Sequence, residues 1–130
     1  MVELNHTIVA ARDQDATARF FTEVLGLAEP QRFGPFLMVQ PENSVTLDVA
    51  AADGAITSQH YAFLVRDDEF DEIFGRVTER GLKYWADPHH TEPDTINTRD
   101  GGRGFYFDDP NGHILEVLTR EYGSGAEQRG

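Results

Sequence analysis

The feature of this sequence that most constrains its fold is an internal duplication. Residues 6–13 (HTIVAARD) resemble residues 60–67 (HYAFLVRD), with His, Arg and Asp at the same positions of both segments. Residues 43–49 (NSVTLDV) match residues 111–117 (NGHILEV) at a larger offset, which indicates an insertion in the second half. Because one supersecondary unit occurs twice, we expect two similar modules related by an approximate twofold axis.

Each repeated segment is followed by a predicted amphipathic helix with its own start and stop signals. Apolar residues recur at helical spacing in both halves. An Asp side chain can accept hydrogen bonds from the first backbone N–H groups of a helix, and a Gly readily ends one. These residues are Asp13 or Asp15 with Gly26 in the first half, and Asp67 or Asp68 with Gly81 in the second.

Segments of strand character follow each predicted helix. They cover residues 36–40 and 45–50 in the first half, and residues 82–85, 104–107 and 113–119 in the second. The same order of strand, helix and further strands therefore occurs twice. This order predicts an α+β fold built from two βαβββ modules.

The length of the chain suits a single domain made of these modules, because domains typically contain about 100–150 residues. We predict one domain over residues 1–130, with module 1 at about 3–54, module 2 at about 55–121 and a flexible tail at 122–130. The insertion is the polar segment 86–103, and long loops in compact domains often carry function.

Composition and charge exclude several classes of function. Eleven Lys and Arg stand against 23 Asp and Glu, and the net charge of −12 disfavours nucleic acid as a partner. The chain has no Cys, so any metal site has to use His and carboxylate ligands. No apolar run approaches the ~20 residues of a membrane helix, and no signal-peptide pattern is present, which predicts a cytoplasmic protein without a membrane partner.

The duplication also identifies four polar side chains at equivalent positions of the two halves. His6 and His60 begin the first strand of each half, while Asp48 and Glu116 lie in the closing strands among apolar neighbours. An ionised carboxylate in such surroundings is costly unless it is paired or binds a metal. Two imidazoles and one carboxylate suit Fe, Mn, Ni or Zn with open positions for substrate. We therefore predict His6, His60 and Glu116 as metal ligands, with Asp48 as a fourth ligand or a neighbour of the ligands.

The His strands, together with residues 101–107 (GGRGFYF) and 109–116 (DPNGHILE), resemble the vicinal oxygen chelate superfamily. That superfamily contains glyoxalase I, fosfomycin-resistance transferases, type I extradiol dioxygenases, epimerases and bleomycin-binding proteins. The resemblance covers nearly the whole chain and implies paired βαβββ modules that form a curved mixed sheet around a central metal. It places His6, His60 and Glu116 at the ligand positions of the family.

The resemblance further implies an enzyme that acts on a small molecule with two adjacent oxygen atoms, by metal-assisted stabilisation of an oxyanion. It also implies a homodimer for a chain of this size. Asp48 stands where glyoxalase I, a lyase, has a fourth carboxylate. Tyr106 precedes Glu116 by ten residues, as the tyrosine of the extradiol signature does. We expect Asp48 and Tyr106 to assist catalysis.

Other residues distinguish poorly between the branches of the superfamily. The extradiol signature requires a His where this chain has Asn97, Thr98 and Arg99, so a general acid or base would have to come from His89 or His90.

The fosfomycin transferases require a Lys and a Ser where this chain has Ile96 and Asp100. Arg103 either anchors a substrate carboxylate or pairs with the acidic surface. The alternative to an enzyme is a drug-binding protein of the bleomycin-resistance type, whose cationic ligand suits the net charge of −12.

Overall fold

The structure is a computed structural model that describes residues 1–43 and 45–125. In chain order its elements are β1 (His6–Ala11), α1 (Gln14–Leu25), β2 (Gln31–Phe33), β3 (Phe36–Val39), β4 (Thr46–Ala51), β5 (His60–Leu64), α2 (Asp67–Glu79), a 3-10 turn (Arg99–Gly101), β6 (Gly104–Asp108) and β7 (Ile114–Leu118). The chain divides into two units, each with one copy of the repeat. Unit 1 comprises Met1–Ser58 with Asp109–Asn111, and unit 2 comprises Gln59–Asp108 with the chain from Gly112 onward.

Unit 1 is a four-stranded mixed sheet with a helix against one face. The strand order is β1-β4-β3-β2, with β1 parallel to β4 and the other neighbours antiparallel. Successive side chains of a strand point to opposite faces. Val9 and Ala11 are therefore buried in the core with α1 residues such as Phe21, while His6 and Ile8 lie on the other face.

The first helix begins and ends where the sequence predicts. The carboxylate of Asp13 accepts a hydrogen bond from the backbone N–H of Ala16 at 3.0 Å. At the other end, Gly26 has a φ of 73°, a left-handed conformation that favours glycine. Of the two predicted candidates for the N-terminal cap, Asp13 and Asp15, Asp13 is confirmed.

The second helix begins differently from the prediction. Its cap residue is Arg66, whose backbone N–H donates to the carboxylate of Glu69 at 2.9 Å. The prediction that Asp67 or Asp68 caps the helix is therefore wrong. Both residues lie in the first turn, where a negative charge interacts favourably with the helix dipole. No helix in the described ranges is long and apolar enough to cross a membrane.

Unit 2 repeats the plan of unit 1 with one strand fewer. Its sheet has the order β5-β7-β6, with β5 parallel to β7 and β6 antiparallel to β7. Phe105 is fully buried and its ring contacts other aromatic rings edge-on or stacked. These partners are Phe70 and Phe74 of α2, Tyr84 and Phe107. The aromatic cluster joins the helix to one face of the sheet.

Two strand assignments differ from the sequence prediction. The predicted strand 82–85 is reduced to isolated bridges of Trp85. It exchanges two backbone hydrogen bonds of 2.9 and 2.8 Å with Tyr106, and it also forms an antiparallel bridge with Pro93. On its other side this segment pairs with the inserted loop, through Ala86 N–H to Glu92 O and Asp94 N–H to Tyr84 O. The short strand Gln31–Phe33 was not predicted, since its three exposed residues show no alternation and its pairing with β3 creates it.

The inserted loop 86–103 is organised by its own side chains. The carboxylate of Asp87 accepts hydrogen bonds from the hydroxyl of Thr91 at 2.6 Å and from the backbone N–H of Glu92 at 2.8 Å. The bond from Thr91, followed by bonds from backbone N–H groups and opposed by burial, lowers the pKa of Asp87 below its ordinary value of 3.8.

We expect the contribution of Asp87 to stability to disappear in acid. Because its folded-state pKa is lowered, the contribution is fully present above pH 3.8 and is lost as the pH falls through the lower folded-state value. Asp87→Asn should therefore be less stable than wild type at neutral pH and equal to it in strong acid, as measured by denaturant unfolding. Asp53→Asn, at an exposed position, is the control. A stability difference that stays constant across this pH range would contradict the expectation.

The segment that follows β7 is tied to the loop by a buried carboxylate. Asp100 accepts hydrogen bonds from the backbone N–H groups of Gly123 at 3.1 Å and Gly125 at 3.0 Å. The remainder of the predicted tail, residues 126–130, lies outside the described residues.

Candidate functional site

The face of the unit 2 sheet that points away from α2 carries a row of polar side chains. The buried residues Phe105 and Val117 point toward α2, so their neighbours Tyr106 and Glu116 point to the opposite face. Tyr106 is paired directly with Glu116 across β6 and β7. His60 lies on the adjacent β5, where it shares the exposed face of that strand. The strand register therefore brings His60, Glu116 and Tyr106 together, as the sequence predicts.

Contacts between these side chains are short. Nε2 of His60 lies 3.0 Å from Oε1 of Glu116, with the glutamate 8% exposed. The hydroxyl of Tyr106 accepts a hydrogen bond from the guanidinium of Arg99 at 2.9 Å, and Tyr106 lies directly opposite Glu116 in the strand pair. Burial, together with the negative charge of Glu116, raises the pKa of Tyr106, while Arg99 opposes the change. Tyr106 is therefore a neutral hydrogen-bond donor at physiological pH.

His6 and Asp48 occupy the equivalent positions in unit 1, on the sheet face that points away from α1. His6 and Asp48 lie on neighbouring strands, on the face that also carries the exposed Ile8. Nδ1 of His6 is 2.7 Å from Oδ1 of Asn5, which leaves Nε2 available to a ligand. Oδ1 of Asp48 is buried and has no hydrogen-bond partner among residues 1–43 and 45–125. A buried carboxylate oxygen without a partner is costly, and a cation would compensate that cost.

These side chains suit a divalent metal ion, and the donor set is one of imidazole nitrogens and carboxylate oxygens. Within residues 1–43 and 45–125 no three His, Asp or Glu side chains are gathered tightly enough to hold an ion. Of the residues predicted at the metal, His60 and Glu116 contact each other in unit 2, while His6 and Asp48 lie on neighbouring strands of unit 1. The complete triad of His6, His60 and Glu116 stays a prediction.

Arg99 is a residue of the site that the sequence did not identify. Its guanidinium carbon lies 5.7 Å from the centre of the Tyr106 ring, and its Nη1 donates to the hydroxyl of that residue. Asn97 supports this arrangement, because its side chain accepts from the backbone N–H of Arg99 and donates to Ala86. In the sequence, Arg99 is only a departure from the extradiol pattern, because a long side chain that reaches the site from a loop leaves no periodic signal.

A second group on the same side of unit 2 involves His90. Its imidazole stacks on the indole of Trp85, with ring centres 3.7 Å apart and planes 14° from parallel. Nε2 of His90 also lies 3.2 Å from Oδ1 of Asp108 on β6. Of the two loop histidines considered in the sequence, His89 is exposed and His90 makes these contacts.

Arg103 takes the second of the two roles considered for it. Its guanidinium pairs with Asp71 at 2.8 Å and with Asp67 at 3.1 Å, and lies 4.3 Å from the centre of the Phe70 ring. The hydrogen bond to Asp71 is the main cause of a raised pKa for Arg103. Arg103 therefore joins the Gly-rich segment to α2 and is not available to anchor a substrate.

We expect Arg103→Ala to lower the free energy of unfolding by about 1 kcal/mol, because a forked ion pair and the packing on Phe70 are both lost. Arg103→Lys keeps the positive charge but lacks the guanidinium that pairs with two carboxylates at once. It should therefore recover about half of the lost stability. Urea denaturation of the three proteins measures this. An Ala variant as stable as wild type would show that the contacts of Arg103 contribute nothing to folding.

The fold and the site together define the class of protein. Residues 3–117 match the Glyoxalase/Bleomycin resistance protein/Dioxygenase superfamily, and the chain therefore belongs to that superfamily. This confirms the resemblance found in the sequence and the fold of βαβββ modules.

Three individual relatives illustrate this similarity. The solved structure of Oxidase ChaP-H1 is 63% identical, with a TM-score of 0.93, over 95% of this chain and 99% of that one. Oxidase ChaP-H2 is 61% identical, with a TM-score of 0.94, over 96% and 98% of the two chains. The glutathione transferase FosA of Serratia marcescens is 30% identical over 88% of this chain and 78% of its own length.

Proposed function

We propose that this chain is a metal-dependent enzyme that acts on a small organic molecule with two adjacent oxygen atoms. His6, His60 and Glu116 hold a divalent ion of Fe, Mn, Ni or Zn, and Asp48 is a fourth ligand or contacts a ligand. The observation that carries the proposal is the 3.0 Å approach of His60 Nε2 to Glu116 Oε1 on the sheet face that points away from α2. The buried, unpartnered oxygen of Asp48 gives independent support.

Oxidation is the reaction class that the relatives favour. Two structures more than 60% identical to this chain are named oxidases, and we propose that this chain likewise oxidises its substrate, with dioxygen as the oxidant. Glutathione transfer of the FosA kind is less well supported. Asp100 stands where those transferases have an anion-binding Ser. Its carboxylate is buried and already accepts hydrogen bonds from the backbone N–H groups of Gly123 and Gly125.

The chain's own residues bind and orient the substrate. The ion, when bound, supplies Lewis acidity for a developing oxyanion. Tyr106 is neutral and can donate a hydrogen bond to a substrate oxygen, while the cation of Arg99 beside it favours negative charge there. The exposed, apolar Leu64, two positions beyond Ala62 on the face of His60, offers a surface for the carbon skeleton.

The experiment that tests this function compares two isomeric diols. Protein loaded with Fe(II) should consume dioxygen with catechol, whose oxygens are adjacent, and far more slowly with hydroquinone, whose oxygens are opposite. Equal rates with both diols would contradict recognition of adjacent oxygens. Disappearance of methylglyoxal with glutathione, without dioxygen uptake, would instead indicate a glyoxalase-like lyase.

A drug-binding protein of the bleomycin-resistance type is the second candidate, and the net charge of −12 favours it because such a ligand is cationic. Calorimetry with bleomycin separates the candidates. Tight binding that does not require metal would overturn the enzyme proposal. We also propose a homodimer, as the family resemblance implies, and light scattering on the purified protein tests its mass.

A further inference from the structure

Asp100 is a buried carboxylate of the inserted loop that the proposed chemistry does not use. The residue is 7% exposed, and its backbone has a φ of 55°, a left-handed conformation that is unfavourable for a residue with a side chain. Asp94, in the same loop, has nearly the same φ of 56° but is exposed. Strain of this kind persists where the surrounding structure enforces it. The contacts of the Asp100 carboxylate therefore have to compensate both its burial and the strain.

Both oxygens of that carboxylate bind the chain that follows β7. Oδ2 accepts a hydrogen bond from the backbone N–H of Gly123 at 3.1 Å, and Oδ1 accepts one from the backbone N–H of Gly125 at 3.0 Å. Gly123 has a φ of 77°, and a left-handed residue in such a turn directs nearby N–H groups toward a common anion. The side chain of Asp100 therefore holds residues 121–125, the C-terminal segment, on the inserted loop.

The loop also passes very close to the residues between β7 and the C-terminal segment. A Cβ atom added to Gly102 would lie 2.5 Å from Cγ of Arg120 and 2.6 Å from Oγ1 of Thr119, so position 102 has no room for a side chain. The backbone N–H of Arg103 donates to Oγ1 of Thr119 at 2.9 Å. A displacement of the chain after β7 is therefore transmitted directly to the loop.

Arg99 precedes Asp100 and belongs to the same short turn. Its carbonyl accepts a hydrogen bond from the backbone N–H of Gly102 at 2.9 Å, and its own N–H donates to Oδ1 of Asn97 at 3.3 Å. Its Nη1 donates to the hydroxyl of Tyr106 at 2.9 Å. The turn thus directs two neighbouring side chains to different partners, Arg99 to the site and Asp100 to the C-terminal segment.

The position of the Arg99 guanidinium depends on the backbone of this turn. Arg99 is an exposed residue, so burial does not fix its long side chain. An arginine has many rotamers, and its guanidinium stays at one place only where the backbone and a hydrogen-bond partner together select that place. Movement of the turn away from Tyr106 would therefore break the contact between the guanidinium and the hydroxyl.

We propose that Asp100 is a positioning residue of the site. By binding the C-terminal segment, it holds the turn of residues 99–102 and so keeps the guanidinium of Arg99 on the hydroxyl of Tyr106. The cation at that place favours negative charge on a substrate oxygen. The effect on turnover rests on the proposed function, whereas the effect on the position of Arg99 does not.

The test observes the hydroxyl of Tyr106 by NMR, in full-length protein labelled with carbon-13 at the Cζ atom of tyrosine, without metal and at one fixed pH. Tyr106→Phe assigns the signal, and Arg99→Gln shows where it lies without the guanidinium. Asp100→Gly permits the left-handed backbone and removes the carboxylate, so it should move the Tyr106 signal to the Arg99→Gln position. Asp100→Asn keeps one acceptor oxygen and should move the signal about half as far.

The matched control is Asp94→Asn, because Asp94 has the same backbone conformation at an exposed position of the same loop. It should leave the Tyr106 signal where wild type has it. Tyr61, which packs on His113, and Tyr84, in the aromatic cluster, report on the rest of unit 2. Their signals should not move in Asp100→Gly.

Gly102→Ala reaches the same turn without altering the carboxylate. Its added methyl group would displace the chain at Arg120 and with it the turn, so the Tyr106 signal should move as in Asp100→Gly. This variant decides the matter if Asp100→Gly does not fold. A wild-type Tyr106 signal in folded Gly102→Ala would then overturn the inference.

The consequence for catalysis is measured as dioxygen uptake with catechol. Asp100→Gly should lower turnover about tenfold and keep its metal, a smaller loss than that of Tyr106→Phe because the hydroxyl itself remains. Asp94→Asn should turn over catechol as wild type does.

Each outcome decides for or against the inference. A wild-type Tyr106 signal in Asp100→Gly would overturn it, and so would a shift of the Tyr61 and Tyr84 signals together with that of Tyr106, which would make Asp100 a support of the whole unit. Wild-type turnover in an Asp100→Gly protein whose Tyr106 signal has moved would also overturn it. A wild type that does not oxidise catechol would contradict the proposed function, while the moved Tyr106 signal would still support the position assigned to Arg99.

Discussion

Replacing Phe105 with Ala is expected to lower the free energy of unfolding by about 3–5 kcal/mol. Phe105 is fully buried at the centre of the aromatic cluster that joins α2 to the unit 2 sheet. Removing its ring takes away apolar burial and leaves a cavity that the surrounding rings cannot fill completely. Equilibrium unfolding in urea, followed by circular dichroism, measures the loss.

Phe33 provides a matched control for this substitution. It is also a strand Phe, but it is 67% exposed on the edge strand β2. Phe33→Ala should change the free energy of unfolding by no more than about 0.5 kcal/mol. Similar losses for the two variants would mean that the aromatic cluster is not the core of unit 2.

Removing the hydroxyl of Tyr106 should lower the rate of substrate oxidation about 100-fold without loss of metal. The hydroxyl accepts a hydrogen bond from Arg99, and in the proposed function it donates its own proton to a substrate oxygen as charge develops there. The measurement is dioxygen uptake with catechol by Tyr106→Phe, together with its metal content.

The control for Tyr106→Phe is Tyr122→Phe, because Tyr122 is 83% exposed. This variant should oxidise catechol at the wild-type rate. Wild-type turnover in Tyr106→Phe would show that the hydroxyl has no part in the reaction. A loss of metal in that variant would indicate instead that Tyr106 acts by supporting Glu116.

The sequence predicts the fold where its signals are local and repeated. The duplicated strands and the Asp13 cap appear as predicted, because alternation and capping depend on neighbouring residues. The Gln31–Phe33 strand and the shortened Trp85 strand could not be predicted. Each depends on which segment is available to pair with it, and that is decided by the tertiary structure.

The same distinction applies to the site. Glu116, Tyr106 and His60 could be placed together because strand periodicity and the repeat fix their register. The contacts of Arg99 and His90 could not be predicted, because they depend on long side chains and on a left-handed backbone within an irregular loop. Loop residues that approach a sheet from outside leave no regular pattern in the sequence.

The central claim is that His6, His60 and Glu116 hold one divalent metal ion. Elemental analysis of protein purified without chelator tests it most directly, with single Ala variants at the three positions and Asp53→Ala as the exposed control. We predict close to one equivalent of Fe, Mn, Ni or Zn per chain in wild type and in the control, and near-complete loss in each ligand variant. Absence of metal from wild type, even after reconstitution, or its retention in all three variants, would contradict the claim.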